Sequence, residues 1–593
     1  MSTLAKPHAN LKDLKQTTNR WWDGLLCASL VMLAVFCTNP IAEMGFHDDF
    51  SYIKTAYVYA QTGHIAYNGW SAPILGWQIP WGALFIKIFG YSFTAVRWST
   101  LPVAAATVWI FFDLLVRFGI NRRNAYFGAL SLGLSPLFLP LATTFMTDIN
   151  CEFVLLLCLY LCLRAVQATT IFASVAWMVA AAATNAVGGT VRQIAWLGVL
   201  IIVPSTAWLL RRRSWVLLAG IVSWCAGLAF IFVCLRWFKS QPYSVSEPLI
   251  PHAPLHAWIT RFTRTAMDCV LCLSLLVFPV LAAWLRRFNT FTRRVRILIL
   301  LFAGLFETPI ATQFLKNNTF PWLFDYIANL GLASSFTFTL GTRSGVLSKP
   351  VVLQILGFSV VTVALTFLIN LFRSVPRTEV PGKSRPALLV QRNPGLSWRT
   401  ELWLFLPFTV AYSVLICSRS IDERCYDRYL LGLLPLALVC LLKLYDQSFA
   451  KPLPLASYLL LVLFALFSIA GTHDLYAMNR ARLEAASTLQ NAGVPDTRFQ
   501  MGLDYDGWTQ LKYSPAISQT ATSYLMTADH PWTVPNLDSH CVLWTWNMTS
   551  AIDPDYFVVL SPMPCLAPSH FPPVSYNSWI PPFHRSIYIQ QRP

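Results

Sequence analysis

The sequence predicts an all-α polytopic membrane protein with a small extracytoplasmic α/β domain at its C-terminal end. Of the 593 residues, 55% are hydrophobic and only 12% are charged, whereas a soluble protein carries about 25% charged residues. Most of the chain consists of apolar runs long enough to cross a bilayer, separated by short clusters of Lys and Arg. Beyond His473 the spanning runs stop, and Pro, Trp, Tyr and Asp become frequent.

The formal net charge of +17 follows from membrane topology and does not indicate a nucleic-acid surface. Lys and Arg cluster between apolar runs, which is the pattern of cytoplasmic loops. A groove for nucleic acid would interleave basic residues with exposed aromatic ones. We therefore predict the lipid bilayer as a partner and no nucleic acid. The basic clusters are Arg122–Arg123, Arg211–Arg213, Arg286–Arg287 and the stretch Arg373–Arg399.

The predicted spans are apolar runs of about 18–22 residues. About 13 spans place every Arg-rich loop on the cytoplasmic side, and one span more or fewer would break that agreement. In this arrangement the two acidic stretches of the chain face the same, outer side of the membrane. The runs lie at about 22–41, 94–116, 125–143, 150–166, 171–187, 194–210, 215–237, 267–284, 296–312, 350–372, 401–417, 429–445 and 455–471.

This topology divides the chain into three parts. Residues 1–20 form a basic cytoplasmic segment, residues 21–471 the transmembrane domain, and residues 472–593 the outer domain. The first outer loop, residues 42–93, contains the first acidic stretch and an apolar segment, Trp77–Phe89. That segment is too short to cross the bilayer, so we predict a helix that lies at its interface.

The outer domain has its own secondary-structure signals. A helix is predicted from Leu475 to Gly493, where glycine and a following proline end it. Asp555–Leu560 has the composition of a buried strand. Cys541 and Cys565 could form a disulfide if this domain lies outside the cytoplasm. Most of the other cysteines fall in apolar runs, where they are expected to be small buried side chains.

Two acidic stretches supply the candidate catalytic residues. Asp48 and Asp49 follow directly on the first span, and Asp148 follows the third predicted span. Charged groups are costly at the edge of the hydrocarbon, so such groups often have a functional task. The alternative is the solvated start of a loop. A partly desolvated carboxylate could act as a general base that takes a proton from an acceptor nucleophile.

Basic residues on the outer side are a minority that needs an explanation. An anionic lipid headgroup held by Arg and Lys would supply one, and ion pairs within the protein are the alternative. Arg192 is the clearest case, because no acidic residue is near it in the sequence. The outer basic residues are Arg97, Arg192, Lys316, Arg343, Arg419, Arg424 and Arg428.

Three further residues complete the predicted substrate site. Lys87 lies in the interface segment, Tyr429 follows Arg428, and His47 precedes the acid pair. A lone histidine beside acids is more often a hydrogen-bond partner than a catalyst. Two acids and a histidine could hold a divalent cation weakly, but no dedicated cluster of metal ligands is evident. The sequence therefore names no metal ligand and leaves the cofactor open.

Several of these motifs resemble the GT-C superfamily of integral membrane glycosyltransferases, in particular the branch of the protein O-mannosyltransferases and the lipid A aminoarabinose transferases. The likeness covers about residues 20–470 as scattered short motifs. They are Phe46-His47-Asp48-Asp49-Phe50-Ser51-Tyr52, Thr62-Gly63-His64-Ile65, Gly90 with Ala95-Val96-Arg97-Trp98, Phe145-Met146-Thr147-Asp148, and Asp427-Arg428-Tyr429-Leu430-Leu431 with Pro435.

The resemblance implies a role for each matching residue. Asp48 would be the catalytic acid of the family, Asp49 its acidic neighbour and Asp148 the acid of the second outer loop, while Arg192 would contact the lipid phosphate. Two positions depart from the family pattern. Asp49 stands where the family often has Glu, and Gln78-Ile79 precede Pro80 where the family often has a basic residue or His.

We therefore predict an inverting membrane glycosyltransferase that moves a hexose or pentose from a polyprenyl-phosphate donor to a protein, lipid or glycan acceptor. It would act on the extracytoplasmic side of a bacterial inner or plasma membrane. A transporter or flippase of a lipid-linked sugar is the alternative, which predicts ionisable residues within spans and helices broken by Gly or Pro. A catalytically silent subunit is the third hypothesis.

Overall fold

Long apolar helices make up the membrane part of the computed structural model. The structure describes residues 11–246, 253–317, 350–374, 398–419, 425–449, 451–517 and 545–593, with single residues and short pieces between these ranges. Within the described residues, eight helices are long and apolar enough to cross a membrane, and a ninth span results if the bent pair Leu255–Leu276 and Phe278–Phe288 is counted as one. The predicted polytopic helical fold is confirmed.

Four predicted spans remain: run 296–312 lies within the continuous helix Arg293–Asn317, and the other three are helical but shorter or irregular. Run 125–143 is divided between Arg122–Gly133 and Phe138–Ala142, and run 194–210 passes from 3₁₀ through π to α geometry. Run 429–445 combines a 3₁₀ turn with the helix Leu434–Phe449. Broken helices can cross a bilayer where neighbouring protein satisfies their free backbone groups. A count by length and composition, which gives eight or nine among the described residues, is therefore compatible with the predicted thirteen spans.

The α-helices of six or more residues follow one another along the whole membrane part. They are Leu11–Cys37, Asp49–Thr62, Gln78–Phe89, Phe93–Trp98, Thr100–Arg117, Arg122–Gly133, Thr147–Gln167, Ile171–Gly188, Val203–Leu209, Ser214–Lys239, Leu255–Leu276, Arg293–Asn317, Pro350–Ser374, Trp398–Arg419, Leu434–Phe449 and Leu455–Asn491.

Basic loops meet at one end of the helix bundle. Arg286 donates to the Tyr445 hydroxyl and Arg287 to the Ser448 carbonyl, and Arg213 donates to the Ala168 carbonyl. These bonds tie together loops that are distant in sequence. The candidate acids lie at the opposite ends of the helices concerned, because Asp148 begins the helix that Gln167 ends. Which end faces the cytoplasm stays a prediction.

The first outer loop folds back onto the ends of the spans. It contains the helix Asp49–Thr62, here named the first-loop helix, and the predicted interface helix, which runs Gln78–Phe89. The Gln78 side chain donates to the Phe145 carbonyl at 2.7 Å, and the Trp77 indole donates to the Gly188 carbonyl at 3.0 Å. These bonds join the loop to the acidic end of two other helices.

One continuous helix, Leu455–Asn491, connects the membrane part to the C-terminal domain, and we name it the long helix. The C-terminal domain keeps the name outer domain from its predicted side of the membrane. Beyond it the strands are Phe499–Gln500, Tyr556–Val559, Ala567–Pro568, Val574–Asn577 and His584–Gln591. The last of these pairs antiparallel with three others, and Phe499–Gln500 pairs parallel with Tyr556–Val559. The predicted helix, the predicted strand and the Cys541–Cys565 disulfide are all present.

The outer domain packs directly on the first outer loop. Helix Leu503–Tyr513 of the outer domain lies against the first-loop helix. At Gly507 a Cβ would come within 2.5 Å of the Phe50 ring, and at Gly45 one would come within 2.5 Å of the Asp504 carbonyl oxygen. Buried Arg482 pairs with Asp504 at 2.7 Å and fixes this helix to the long helix. The acidic loop is therefore held between the bundle and the outer domain.

Candidate active site

Asp49 is the anchor of the acidic loop. Its carboxylate is fully buried and accepts hydrogen bonds from the Phe46 and Phe145 amides and from Arg97, with Nε of Arg97 at 2.8 Å. Arg97 also donates to the carbonyls of Ala42 and Met44. Both charged groups thus use their hydrogen-bonding capacity on each other and on the backbone of the loop. The sequence analysis predicted a catalytic role for Asp49 and a substrate-binding role for Arg97, and both roles stay predictions.

Asp48 is the accessible member of the acid pair. It stands at the N-terminal cap of the first-loop helix, and its side chain is 17% exposed. One carboxylate oxygen accepts from the Trp70 indole at 3.0 Å, and the other lies 3.4 Å from a guanidinium nitrogen of Arg428. The carboxylate is therefore oriented, but the long contact to Arg428 leaves it less tightly paired than Asp49.

Asp148 and Arg192 form the second ion pair. Asp148 sits in the first turn of helix Thr147–Gln167, where the helix dipole favours a negative charge. Nη1 of Arg192 lies 2.7 Å from its Oδ1 atom, while its buried Oδ2 atom has no hydrogen-bond partner among the described residues. Arg192 projects from an extended residue between two 3₁₀ turns, Gly189–Val191 and Gln193–Trp196. The pairing joins residues 44 positions apart.

The Tyr429 ring brings the two arginines together. The guanidinium carbon of Arg192 lies 4.7 Å from the ring centre, and that of Arg428 lies 5.7 Å from it. Such contacts attract a cation to the face of an aromatic ring. The Tyr412 hydroxyl holds the Tyr429 carbonyl at 3.0 Å. Two acids and two arginines predicted from separate parts of the sequence are thus assembled around one tyrosine.

Tyr52 belongs to this cluster although sequence analysis did not select it. It lies on the first-loop helix, one turn after Asp48, and is buried. Burial, and next the charge of Asp48, raise the pKa of Tyr52 well above its ordinary value, while Arg428 and Arg192 act in the opposite direction. Its hydroxyl makes no hydrogen bond with any described residue. The four-residue spacing from Asp48 was the available signal, since that spacing places both on one helix face.

His47 lies beside the cluster in an aromatic setting. Its backbone adopts a left-handed conformation, with φ of 52°, which is uncommon for a residue other than glycine. Its ring stacks on Tyr326 with centroids 5.3 Å apart, and on the edge of Phe46 at 4.9 Å. The amides of residues 326 and 327 in turn donate to buried Asp427. These contacts link His47 to the segment that carries Arg428.

The structure does not bring every predicted residue into the cluster. Lys87 is exposed on the interface helix and makes no hydrogen bond or ion pair with a described residue. Arg419 ends the helix Trp398–Arg419. Arg343, Arg424 and the side chain of Lys316 lie outside the described residues. The possible pairing of Arg424 with its acidic neighbours falls there too.

The described residues do not form a metal centre. Among them, no group of three or more His, Cys, Asp or Glu side chains could hold a metal ion. Asp48 and Asp148 each face an arginine, and a second positive charge in the same place would be repelled. The acids and His47 therefore do not fit a divalent cation in this arrangement, and no step of the proposed chemistry uses one.

Comparison with known proteins gives distant structural matches. ArnT from Cupriavidus metallidurans bound to undecaprenyl phosphate is 14% identical, with a TM-score of 0.40, over 83% of this chain and 85% of that one. The oligosaccharyltransferase AglB from Archaeoglobus fulgidus, in complex with an inhibitory peptide and a dolichol-phosphate, is 15% identical, with a TM-score of 0.40, over 90% of this chain and 64% of that one.

The protein O-mannosyltransferase Pmt1–Pmt2 complex of S. cerevisiae bound to the sugar donor is 11% identical, with a TM-score of 0.28, over 36% of this chain and 32% of that one. These neighbours are GT-C glycosyltransferases, the superfamily that the sequence motifs resemble. No protein-family model and no curated protein matches the chain. Because the TM-scores are low, the proposed function depends on this chain's own residues.

Proposed function

We propose that this protein is a membrane glycosyltransferase that moves a sugar from a polyprenyl-phosphate donor to an acceptor at the acidic end of its helix bundle. One observation carries the proposal. Two carboxylates, Asp48 and Asp148, meet two arginines, Arg428 and Arg192, around the ring of Tyr429. These groups come from four separate segments of the chain, and they supply the opposite charges that the reaction requires.

The arginines suit the phosphate of the donor. Their guanidinium groups converge on one tyrosine ring from two different segments, and their side chains are 10% and 19% exposed for Arg428 and Arg192. Arginine presents several donors in a planar arrangement that matches phosphate oxygens. The sugar–phosphate bond breaks with its electron pair on the phosphate, and the arginines would stabilise that developing charge, often the largest catalytic effect.

Asp48 is the proposed general base. The acceptor hydroxyl or amine attacks the anomeric carbon, the bond from that carbon to the phosphate oxygen breaks, and the acceptor proton passes to the Asp48 carboxylate. Direct displacement from the side opposite the leaving group inverts the anomeric centre. Asp48 is the more exposed of the two site acids, at 17% of its side chain against 3% for Asp148. Access to an incoming acceptor therefore favours Asp48.

Asp49 and Arg97 are assigned a positioning role. Their buried pair fixes the backbone of residues 42, 44 and 46 immediately before Asp48. A general base must be held within hydrogen-bond reach of the proton that it takes. The predicted direct roles of Asp49 in catalysis and of Arg97 in substrate binding are thereby replaced, in this proposal, by support of the loop that presents Asp48.

Transfer of radiolabelled sugar from synthetic polyprenyl-phosphate donors to membrane acceptors tests the function. We expect Asp48→Asn to lower transfer by about 10²–10⁴-fold, which is the usual contribution of a positioned general base. Asp113→Asn is the matched control, because Asp113 pairs with Arg117 at the other end of the bundle. Equal transfer by the native protein and Asp48→Asn would remove Asp48 from the chemistry.

The flippase alternative gains one observation from the structure. Glu152 and Glu307 lie within helices Thr147–Gln167 and Arg293–Asn317 and are buried. Both carboxylate oxygens of Glu307 lack a hydrogen-bond partner among the described residues. Ionisable groups inside spans are typical of transport pathways. Movement of a fluorescent lipid-linked sugar across liposomes, lost in Glu307→Gln and kept in Asp48→Asn, would favour transport over transfer.

A further inference from the structure

The turn between the last two strands has an unusual surface. Residues 578–583, here named the apolar turn, read Ser-Trp-Ile-Pro-Pro-Phe. They connect Val574–Asn577 to His584–Gln591, and the Ser578 amide donates to the Phe583 carbonyl at 2.8 Å. Trp579 is 50% exposed and Phe583 is 58% exposed. Single exposed apolar residues are ordinary, whereas a contiguous apolar patch marks a contact surface.

The apolar turn is rigidly held by a buried carboxylate. Asp474 of the long helix accepts hydrogen bonds from the Ser578 hydroxyl and from the amides of Trp579 and Ile580, at 2.5, 2.6 and 3.0 Å. The neighbouring His473 stacks flat on the Trp579 ring, with centroids 3.9 Å apart. The exposed aromatic residue is therefore fixed in place at one position along the long helix.

That position is where the long helix leaves the apolar region. The last strongly exposed apolar side chain of its spanning part is Leu466, at 57%, and the apolar run ends at Ala470. His473 follows three residues later, which is about 4.5 Å along a helix. The interfacial layer of a bilayer extends about 5–7 Å beyond the hydrocarbon on each side. Trp579 therefore lies at the level of that layer.

The end of the first span gives an independent second marker, which lies further along the long helix than His473. Arg480, two turns further along the long helix than His473, donates to the carbonyls of Asn39 and Ile41, just beyond the end of that span. Ile41 and Phe36 are 49% and 59% exposed, as lipid-facing side chains are. Apolar surface of the bundle thus continues past the level of His473. The level of the apolar turn is therefore bracketed by two exposed apolar residues, Leu466 on the long helix and Ile41 just beyond the first span.

We propose that the apolar turn inserts into the lipid interface and is a second membrane contact of the outer domain, besides the long helix. Trp and other aromatic side chains are enriched at this depth because a ring with a polar edge suits the headgroup region. Five consecutive uncharged apolar residues fit a lipid surface. Two attachments, the long helix and the turn, would fix the height and rotation of the outer domain over the acidic loop. The inference does not depend on the proposed function.

Photocrosslinking in a bilayer tests the inference. The full-length protein, with p-benzoylphenylalanine in place of Phe583, is reconstituted in liposomes of phosphatidylcholine and phosphatidylglycerol and irradiated. The matched control carries the crosslinker in place of Asn491, an exposed residue at the far end of the long helix. Asn491 is 18 residues beyond His473, or about 27 Å along the helix and in water.

We expect at least about tenfold more phospholipid adduct at position 583 than at position 491, as measured by intact mass. Equal and low adduct formation at both positions would overturn the inference. So would crosslinking of position 583 mainly to a second protein chain. The substitution keeps an aromatic side chain at an exposed position, and the circular dichroism and thermal unfolding of the labelled protein verify that its fold is intact.

Discussion

At the residue scale, the site consists of charged side chains that differ in how completely they are paired. Asp49 is surrounded by donors, and Asp148 uses one oxygen and keeps the other without a partner among the described residues. Asp48 accepts from the Trp70 indole on one oxygen and has only a long contact to Arg428 on the other. A group whose bonds are all satisfied within the protein has little capacity left for substrate. The incompletely paired acids, Asp48 and Asp148, can therefore still contact substrate, whereas Asp49 holds the loop in place.

Arg192→Lys tests whether the arginine recognises the donor phosphate. Lysine keeps the charge but loses the planar donors and most of the contact with the Tyr429 ring. We expect the Kd for polyprenyl phosphate to rise about 10–100-fold, corresponding to loss of about 1.5–3 kcal/mol for a charged hydrogen bond. Arg213→Lys, at the basic end of the bundle, is the control. An unchanged Kd in Arg192→Lys would contradict phosphate binding by this residue.

Tyr52→Phe tests the tyrosine that only the structure identified. Removal of a hydroxyl without a described partner should change the free energy of unfolding by less than about 1 kcal/mol, while kcat/KM falls about tenfold if the hydroxyl contacts substrate. Because the pKa of Tyr52 is raised, the phenol stays neutral up to and beyond its usual range. The ratio of native to variant kcat/KM should thus be constant from about pH 6 to 9.

A change of that ratio with pH would show that the Tyr52 phenol titrates between about pH 6 and 9, which would contradict the expected neutral phenol. An unchanged kcat/KM would place Tyr52 outside the reaction. Thermal unfolding in detergent, monitored by circular dichroism, separates both outcomes from a general loss of structure.

At the element scale, the acidic loop is held by a buried ion pair that connects it to the start of the second span. Removal of one partner of such a pair leaves an uncompensated buried charge and costs about 3–5 kcal/mol. We therefore expect Arg97→Met to lower the unfolding temperature strongly and to reduce expression. Asp49→Leu should act in the same direction, because it leaves buried Arg97 unpaired.

The double variant Arg97→Met with Asp49→Leu is the informative control. Replacement of a buried pair by apolar groups of similar volume is often nearly neutral, so the double variant should be more stable than either single variant. Thermal unfolding of all four proteins measures this coupling. Additive losses in the double variant would show that the two side chains act independently.

At the scale of the whole molecule, the helix bundle has an acidic end and a basic end. The basic loops carry Arg211–Arg213 and Arg286–Arg287, and the outer domain packs on the acidic loop. Positive loops are retained in the cytoplasm. We therefore expect cysteines introduced at Asn491 and Arg211 to react with a membrane-impermeant maleimide from opposite sides of the membrane.

Right-side-out and inverted vesicles provide this measurement, with the parent protein as the control for its exposed native cysteines, Cys37 and Cys225. Reaction of both introduced cysteines from the same side would overturn the topology. It would also mean that an even number of spans, and not the predicted seven, separates Arg211 from Asn491.

The sequence by itself determined the fold class of the protein and selected most of the residues of its candidate site. Hydrophobic runs and basic loops depend on composition over many neighbouring residues, so they are readable without coordinates. Asp48, Asp148, Arg192, Arg428 and Tyr429 were selected in this way, from membrane position and short motifs. The helix and the strand of the outer domain followed from local pattern, and so they too were predictable.

Only the tertiary structure decided which of these residues meet. Asp148 and Arg192 are 44 positions apart, and Asp48 and Arg428 are 380 apart. Pairing over such separations depends on how helices pack, which no local pattern encodes. The same limit applies to Tyr52, because its spacing from Asp48 indicates a shared helix face but not four charged neighbours. It also applies to Asp49 and Arg97, whose hydrogen bonds to backbone groups form only when the loop is folded.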